Sequence, residues 1–384
     1  MSTNFVQLGS VAEFINGAAF KPEDWNGSGA RIIRIQNLTD PSKPYNRTDR
    51  TVDDKLRVRP GDLLVSWSAT LGVFEWMGPD DGVLNQHIFR VVPDKDKVAK
   101  NYLRHALEGA LVEMQRHLHG ATMQHVNRGE FLATKLFLPT LAEQRRIAEV
   151  LDRAEALRAK RRAALAQLDT LTQSIFLDLF GYPAANPKAL RIESLGDHLT
   201  FVTSGGRGWA EFYAPAGRRF IRSFDVQMNH IGNEDPAFVL PPENAEARRT
   251  RVMSGDVLLT ITGSRIGRVA PVPEDLSGAY ISQHVAILRV DPKRIEPTFL
   301  SFFLSFEAGG QRQIAKAQYG QTKPGLNFEQ IRRFQVPVPP LPLQHDFARR
   351  VAGVEKLKTA HRASLAELNT LVAALQFRGF RGEL

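Results

Sequence analysis

The chain has 384 residues, 43% of them apolar, a formal net charge of +9 and no cysteine. This length predicts two domains with cores of their own, and the missing cysteine excludes disulfides, thiol catalysis and cysteine-bound zinc and favours a reducing cytoplasm. The positive charge favours a polyanionic partner, nucleic acid first, although solubility alone would also explain it.

The N-terminal segment lacks the basic stretch and apolar core of a secretory signal. No apolar run approaches the roughly 18 residues that a membrane helix requires. A cytoplasmic protein without a membrane partner is therefore expected.

The first 139 residues predict a strand-rich domain. Apolar or alternating runs predict strands at Arg31–Ile35 and Ile88–Val92, and the Gly61-Asp62 turn predicts a third strand directly after it. A helix is expected over Tyr102–Leu118.

A long helix is predicted between Leu138 and Gly181. Thr140 and Glu143 form a capping box at its start, and Gly181 suits its C-terminal end. Apolar residues recur in steps of three and four, which predicts a heptad seam that needs a partner helix. The seam residues are Ile147, Val150, Ala154, Leu157, Ala164, Leu168, Leu171 and Ile175, with Arg161 among them.

The same helix returns 200 residues later, after a proline-rich run from Val336 to Leu343 that is expected to be extended rather than helical. Arg161 and its counterpart His361 either fix the helix register or face a partner subunit. The second seam contains Phe347, Val354, Leu357, Leu368, Leu371 and Leu375.

The domain between the two helices repeats the first. Gln86-His87 recurs as Gln283-His284, and Gly61-Asp62 recurs as Gly255-Asp256, with changing offsets that indicate loop insertions. Apolar or alternating runs predict strands at Arg219–Ser223, after Asp256 and at Val285–Val290, and a helix is expected over Phe299–Ala315. The predicted parts are 1–139, a helix at 140–181, 182–339 and a helix at 340–384.

Residues 17–59 and 204–251 resist alignment, and both are rich in glycine, basic and aromatic residues. Two different faces on one scaffold suggest recognition of two different targets. The candidate DNA contacts are Lys21, Trp25, Arg31, Arg34, Asn37, Tyr45 and Arg47 in the first half, and Arg207, Trp209, Arg218, Arg219, Arg222, Ser264, Arg265 and Lys323 in the second.

Residues that recur in both halves cannot distinguish two targets. Thr122, Asn127, Thr322 and Asn327 are therefore interpreted as scaffold or phosphate contacts. The repeated Gln-His pairs are interpreted as hydrogen bonds that fix a turn, with a contact to a phosphate or base edge as the alternative.

No catalytic site is predicted. Gly263–Gly267 lacks the Lys-Ser/Thr ending of a phosphate-binding loop. Asp235–Phe238 lacks the second proline of the adenine-methyltransferase motif, and a loop explains it better. His117 and His119 have no cysteine or carboxylate cluster to complete a metal site, so no metal is expected.

The chain resembles the specificity (S) subunits of type I restriction–modification systems over nearly its full length. The resemblance rests on a doubled order of motifs: the Gly-Asp turns, the Gly-x-Thr…Asn segments, the Leu-Pro-x-Leu-x-x-Gln entries at Leu138–Gln144 and Val338–Gln344, and the two long helices.

The resemblance implies an α+β chain with two strand-rich target-recognition domains, each followed by a long helix, the two helices pairing as an antiparallel coiled coil. It implies that each domain reads one half of a split duplex DNA site and that the helices dock two methyltransferase (M) subunits. Restriction (R) subunits are further expected partners. S-adenosylmethionine, ATP and Mg are expected on partner subunits, and no cofactor on this chain.

A helix of about 40 residues rises roughly 60 Å, more than the roughly 34 Å between half-sites one duplex turn apart. Because the two faces differ, an asymmetric site is expected. Two alternatives stay open: a DNA adenine methyltransferase with its own recognition domain, and a coiled-coil adaptor that does not bind DNA.

Overall fold

The computed structural model describes residues 5–117, 128–318 and 325–383, which belong to two compact units. The first unit comprises residues 1–163 and 362–384, and the second comprises 164–361. Within the described ranges, no helix combines the length and apolar character needed to cross a membrane.

The first unit begins with short strands and ends with helices. Its strands are β1 (Phe5–Gln7), β2 (Ala12–Asn16), β3 (Ala30–Ile33), β4 (Arg47–Thr48), β5 (Arg57–Val58), β6 (Leu63–Ser66), β7 (Gly72–Glu75), β8 (Gly82–Leu84), β9 (Ile88–Pro93) and β10 (Lys135–Phe137). Its helices are α1 (Ile35–Thr39), α2 (Lys100–His117), α3 (Arg128–Ala133) and the start of α4 (Leu141–Phe180).

Two four-stranded sheets and one strand pair organise this unit. The first sheet has the order β2-β9-β6-β7 and is antiparallel, and the second has the order β4-β3-β8-β5 with β3 and β8 parallel. β1 pairs with β10, so the strand at the start of the unit joins the one that leads into α4. Leu63, Phe89 and Leu103 lie in a core that α2 and the start of α4 cover.

The second unit repeats this plan. Its strands are β11 (Ile192–Ser194), β12 (Leu199–Ser204), β13 (Tyr213–Ala214), β14 (Arg218–Ile221), β15 (Ala237–Val239), β16 (Val257–Thr260), β17 (Val269–Pro271), β18 (Tyr280–Ile281), β19 (Val285–Val290) and β20 (Gln335–Pro337). Its helices are α5 (Ala245–Arg249), α6 (Pro297–Ser305), α7 (Arg312–Ala317), α8 (Phe328–Arg332) and the start of α9 (Leu341–Gly379).

The sheets of the second unit match those of the first. The sheet β12-β19-β16-β17 corresponds to β2-β9-β6-β7, the parallel pair β14 and β18 corresponds to β3 and β8, and β11 pairs with β20 as β1 pairs with β10. The α+β class and the internal repeat are confirmed.

The regions that resist alignment in the sequence are related in the structure. Strands β3 and β14 occupy the same place in their sheets, so Arg34 corresponds to Arg222, 188 residues later. The backbone N–H of Arg34 donates to Asn37 Oδ1 over 3.3 Å, and that of Arg222 donates to Asp225 Oδ2 over 2.8 Å. In this segment the two regions therefore share a backbone, which their different side chains hide from a comparison of the sequences.

The single helix predicted over Phe299–Ala315 is interrupted. α6 ends at Ser305, and a π-helical turn at Glu307–Gln311 precedes α7. A Cβ atom on Gly310 would lie 2.3 Å from Cα of Leu304. The glycine permits a close approach of the chain that breaks the helix.

The proline-rich run is extended only in part. α9 already begins at Leu341, so Pro342 lies in its first turn. Proline is tolerated there because the backbone N–H groups of a first helical turn have no intrahelical partner. The prediction that residues up to Leu343 are not helical is therefore wrong.

The two long helices pair in opposite directions. In the first unit, Leu375 near the end of α9 packs against the cluster that contains Ile147 near the start of α4. In the second unit, Phe176 near the end of α4 lies with its ring centroid 5.5 Å from that of Phe347 near the start of α9. This arrangement confirms the antiparallel helix pair.

The seam of this pair differs from the predicted one at alternate positions. Leu157, Leu171, Leu357 and Leu371 are 50%, 44%, 53% and 49% exposed. Every second predicted seam residue, from Ile147 to Ile175, is covered. The next covered position lies four residues after each of them, not three as predicted, which gives the inner positions 151, 158, 165, 172 and 179. Polar residues occupy some of them, such as Thr172 and, on α9, the buried Lys358, which pairs with Asp169 over 2.8 Å. An assignment by apolar residues alone therefore chose the outward-facing leucines.

The remaining predicted seam residues are covered to different degrees. Buried ones are Ile147, Ala154, Phe347 and Val354, and half-buried ones are Val150, Arg161, Ala164, Leu168, Ile175, His361, Leu368 and Leu375.

The repeated Gly-Asp turns are structural. Gly61 and Gly255 have φ of +89° and +81°, a conformation that glycine adopts without strain. Asp62 accepts hydrogen bonds from the Arg59 backbone N–H and from Arg90 Nε. Asp256 accepts equivalent bonds from the Met253 N–H and from Arg289. Each turn thus ties one strand of its sheet to the neighbouring strand.

A buried glutamine joins each long helix to its own unit. Gln144 Oε1 accepts from the Ala99 N–H over 2.8 Å, and its Nε2 donates to the carbonyls of Lys97 and Pro139 over 2.9 Å. Gln344 makes the same set of bonds, to the Glu296 N–H and to the carbonyls of Arg294 and Pro339. Both side chains are 0% exposed. These bonds explain the glutamine of the repeated Leu-Pro-x-Leu-x-x-Gln motif.

Replacing Gln144 with Leu is expected to lower the free energy of unfolding of the first unit by about 2–4 kcal/mol, because a buried N–H and two carbonyls lose their partner. Urea denaturation followed by circular dichroism measures the loss. Gln167→Leu, at an exposed position of the same helix, should change stability by less than about 0.5 kcal/mol. Equal losses in the two variants would contradict the role of the buried glutamine.

Candidate nucleic-acid interface

Three connections of the second unit meet at an open pocket of about 250 Å³. They follow β14, join β16 to β17, and join β18 to β19. The pocket is lined by Ser223, Phe224, Thr262, Gly263, Ser264, Arg265 and His284. Exposed loops at one end of the sheets thus bring together an aromatic ring, a guanidinium group, an imidazole and hydroxyls.

The cations of this pocket are arranged around Phe224, whose side chain is 41% exposed. The guanidinium of Arg222 stacks on the ring, 4.0 Å from its centroid, and Arg265 Nη1 donates to the Phe224 carbonyl over 2.9 Å. Burial alone would lower the pKa of Arg222, but the hydrogen bonds and charge of Asp225 raise it overall. Arg222 is therefore a fixed positive charge at the pocket.

The equivalent surface of the first unit has different groups. Arg34 lies 5.4 Å from the ring of Trp25, which is 40% exposed. Arg31 stacks on Tyr45 at 5.3 Å and pairs with Asp80 over 3.3 Å. An arginine near an exposed aromatic residue is thus common to both units, but the aromatic residue precedes Arg34 and follows Arg222.

Three predicted contacts lie in the interior instead. Asn37 is 2% exposed and donates to the carbonyls of Lys43 and Pro44. Trp209 is 7% exposed and packs on Phe220. Arg219 is 9% exposed, so its prediction as a surface contact is wrong. Neither Asn37 nor Trp209 is available for a surface contact, because the Asn37 amide makes loop hydrogen bonds and the Trp209 ring packs in the core.

Arg219 stabilises the second unit from inside. Its guanidinium donates to the carbonyls of Phe220, Gly232 and Ala237 at 3.1–3.2 Å and pairs with Asp225 over 3.4 Å. A buried arginine with this many partners is not available to DNA.

The other predicted residues are at the surface or outside the described residues. Lys21, Arg207, Arg218 and Ser264 are exposed, and Arg47 is half-buried and donates to the Gly29 carbonyl. Asn327 is exposed and caps α8 through reciprocal bonds with Gln330, which supports its scaffold interpretation. Thr122, Asn127, Thr322 and Lys323 lie outside the described residues.

The repeated Gln-His pairs precede β9 and β19. The carbonyl of His87 accepts from the Trp67 N–H, and that of His284 accepts from the Ile261 N–H. These bonds fix the turn, as the structural interpretation predicts. Gln86 and Gln283 are nevertheless exposed, so their side chains are accessible to a ligand.

The connection from β16 to β17 also accounts for part of the change in repeat offset. It spans residues 261–268, whereas its counterpart between β6 and β7 spans residues 67–71. Sequence analysis missed Phe224, Thr262 and the role of His284. The Arg-x-x-Arg pattern shared by β3 and β14 would have aligned the two loops and pointed to Phe224.

The chain belongs to a known family. The family model of the type I restriction modification DNA specificity domain matches residues 2–167 and 245–370. This family supplies the DNA sequence specificity of type I restriction–modification complexes and is not catalytic. Neither the methyltransferase alternative nor the adaptor without DNA contact agrees with this assignment.

Individual proteins similar to this chain are also specificity subunits. The chain is 26% identical over 417 residues to the type I restriction enzyme EcoBI specificity subunit of Escherichia coli, covering 99% of this chain and 85% of that protein. It is 20% identical over 324 residues to the MjaVIII specificity subunit of Methanocaldococcus jannaschii, covering 80% and 75%.

Solved structures share the fold. The S subunit from M. genitalium matches with a TM-score of 0.63 at 15% identity, over 99% of this chain and 96% of that one. A chain from a structural study of assembly and conformational transition of the type I R-M system matches with a TM-score of 0.58 at 18% identity, over 99% and 98%.

The adjacent arginines of β14 are expected to respond differently to mutation. Arg219→Gln should lower the free energy of unfolding of the second unit by about 3 kcal/mol, because three carbonyls and a buried carboxylate lose a partner. Arg218→Gln, at an exposed position, should change it by less than about 0.5 kcal/mol. Thermal and urea denaturation test this, and a stable Arg219→Gln protein would contradict the structural role.

Proposed function

We propose that each unit reads one half of a split, asymmetric duplex DNA sequence. The observation that carries this proposal is a common scaffold with unlike side chains at equivalent surface loops. The antiparallel sheet, the parallel strand pair, the Gly-Asp turns and the glutamine bonds recur in both units. The pocket around Phe224 and the surface around Trp25 are not. A shared scaffold with different side chains at its surface loops suits two different half-sites.

In the second unit, the bases are read at the pocket around Phe224. Arg265 and His284 supply polar groups for base edges, and Ser264 supplies a hydroxyl. Phe224 offers an apolar ring that can contact a thymine methyl group. In the first unit, Trp25, Arg34 and Gln86 occupy the corresponding surface.

Phosphate contacts supply affinity rather than sequence. Exposed cations such as Lys21, Arg207 and Arg218 suit this role, and the net charge of +9 favours it. DNA binding should therefore weaken steeply as salt rises, since each phosphate contact releases a counterion.

The long helices recruit two methyltransferase subunits. The outward leucines form equivalent pairs: the first unit holds Leu157 and Leu371, and the second holds Leu357 and Leu171, which are their counterparts 200 residues away. Two like apolar surfaces suit two copies of one partner. Restriction subunits complete the complex, and S-adenosylmethionine, ATP and Mg bind to the partner subunits.

Methylation-site mapping tests the proposed function. The chain is co-expressed with the methyltransferase subunit encoded beside it in a host that lacks DNA methylation, and modified adenines are located by long-read sequencing. A split motif with two unlike halves is expected. A continuous palindrome, or the same methylation without this chain, would contradict the proposal.

A double variant of the second unit should relax one half of that motif. Phe224→Ala with Arg265→Gln removes the apolar ring and a guanidinium group, and each lost base contact reduces discrimination by about 1–3 kcal/mol. The same mapping should show degeneracy in one half-site and an unchanged other half.

Trp25→Ala in the first unit is the matched control, because it should relax the opposite half-site. If both variants altered the same half, the assignment of one half-site to each unit would be wrong.

Leu157→Glu should remove one methyltransferase subunit from the complex, and Leu157→Glu with Leu357→Glu should remove both, because a charge replaces an apolar contact. Native mass spectrometry measures the stoichiometry. Ala156→Glu, an exposed neighbour on the same helix, should retain both subunits. Full assembly of the double variant would exclude these leucines from the interface.

A further inference from the structure

A group of charged side chains lies where α2 packs against α4 in the first unit. His105 is 0% exposed, whereas the carboxylates around it are half-buried. The group consists of Arg104, His105 and Glu108 on α2 and of Asp152 and Glu155 on α4.

Hydrogen bonds fix the orientation of the His105 ring. Its Nε2 lies 2.8 Å from Asp152 Oδ1, which also accepts from Arg104 Nη2 over 2.6 Å, and the two nitrogens are 2.9 Å apart. In the tautomer that donates from Nε2 to Asp152 Oδ1, the lone pair of the ring is on Nδ1.

The opposite nitrogen of the ring then carries a lone pair. His105 Nδ1 is buried without a hydrogen bond and lies 3.3 Å from Glu108 Oε2 and 3.8 Å from Glu155 Oε1. The other oxygens of these carboxylates face Arg104 Nη1, at 2.8 Å and 3.2 Å. One lone pair and two anionic oxygens therefore face each other, an arrangement that a cation between them would stabilise.

The charge of the group agrees with such a cation. Three carboxylates surround a single guanidinium, which leaves two negative charges when the imidazole is neutral. A divalent ion would neutralise them. Partly buried charges of one sign repel one another strongly unless they are compensated.

We propose that the first unit binds a divalent transition-metal ion through His105 Nδ1, Glu108 and Glu155. These ligand atoms lie within 4.8 Å of one another, and tetrahedral zinc with bonds of about 2.0–2.2 Å needs them at roughly 3.4 Å, so small side-chain rotations suffice. The Nε2–Asp152 bond is the outer carboxylate contact that metal-bound histidines make. A nitrogen ligand favours zinc-like ions over Mg²⁺ or Ca²⁺.

The matching positions of the second unit, all among the described residues, do not form an equivalent group. Phe302 and Ser305 occupy the positions of His105 and Glu108, and Ala352 that of Asp152, so only Glu355 remains. The ion would therefore hold α4 against α2 in the first unit alone.

The full-length chain, without an affinity tag, is stripped with EDTA, dialysed and titrated with Zn²⁺. One Zn²⁺ per chain is expected by elemental analysis, together with a rise in Tm of about 5 °C at 100-fold excess over the dissociation constant. Co²⁺ in place of Zn²⁺ should give the visible absorption of a tetrahedral site. Absence of binding at about 10 µM Zn²⁺, where even a site of micromolar affinity would be mostly filled, would overturn the proposal.

Variants distinguish Zn²⁺ bound at this site from Zn²⁺ bound adventitiously at other histidines. His105→Ala and Glu155→Gln should each lose the Zn²⁺ and the Co²⁺ absorption, and Glu355→Gln, the matched position in the second unit, should keep both. If His105→Ala fails to fold, Glu155→Gln alone decides. Zinc that persists in a folded His105→Ala or Glu155→Gln protein would show that the ion lies elsewhere.

Discussion

The fold depends on a pair of buried glutamines. Gln144 and Gln344 each bind one backbone N–H and two carbonyls, and they join the start of a long helix to the sheet-bearing part of its unit. A buried amide with all of these bonds made is directional, whereas apolar packing tolerates rotation. The helices and the recognition surfaces are therefore held in a defined orientation within each unit, and the surface loops can differ without disturbing it.

The duplication separates what must be constant from what can vary. The Asp256–Arg289 pair and its counterpart Asp62–Arg90 cross-link the same two strands in each unit. The surface loops differ instead: Phe224 follows β14 in one unit, and Trp25 precedes β3 in the other. The proposed reading of two unlike half-sites would need this division, because each new specificity has to arise without loss of the scaffold.

Sequence reasoning predicted features that repeat or have a strong period: the two long helices, the doubled domains and most central strands. It failed where polar residues take inner positions, as at Thr172 and Lys358, since an apolar pattern then points to the wrong side of the helix. It also could not tell buried Arg219 from exposed Arg218. The cluster of His105 with Glu155 joins residues of different helices, which no local spacing reveals.

The first unit is assembled from both parts of the chain. Phe380, near the end of α9, lies with its ring 5.3 Å from that of Tyr102, and Leu375 packs against the same core. On the ribosome, residues 362–384 emerge only after the whole second unit has been made. The early-made part of the first unit therefore waits for the end of α9 with some of its apolar surface uncovered.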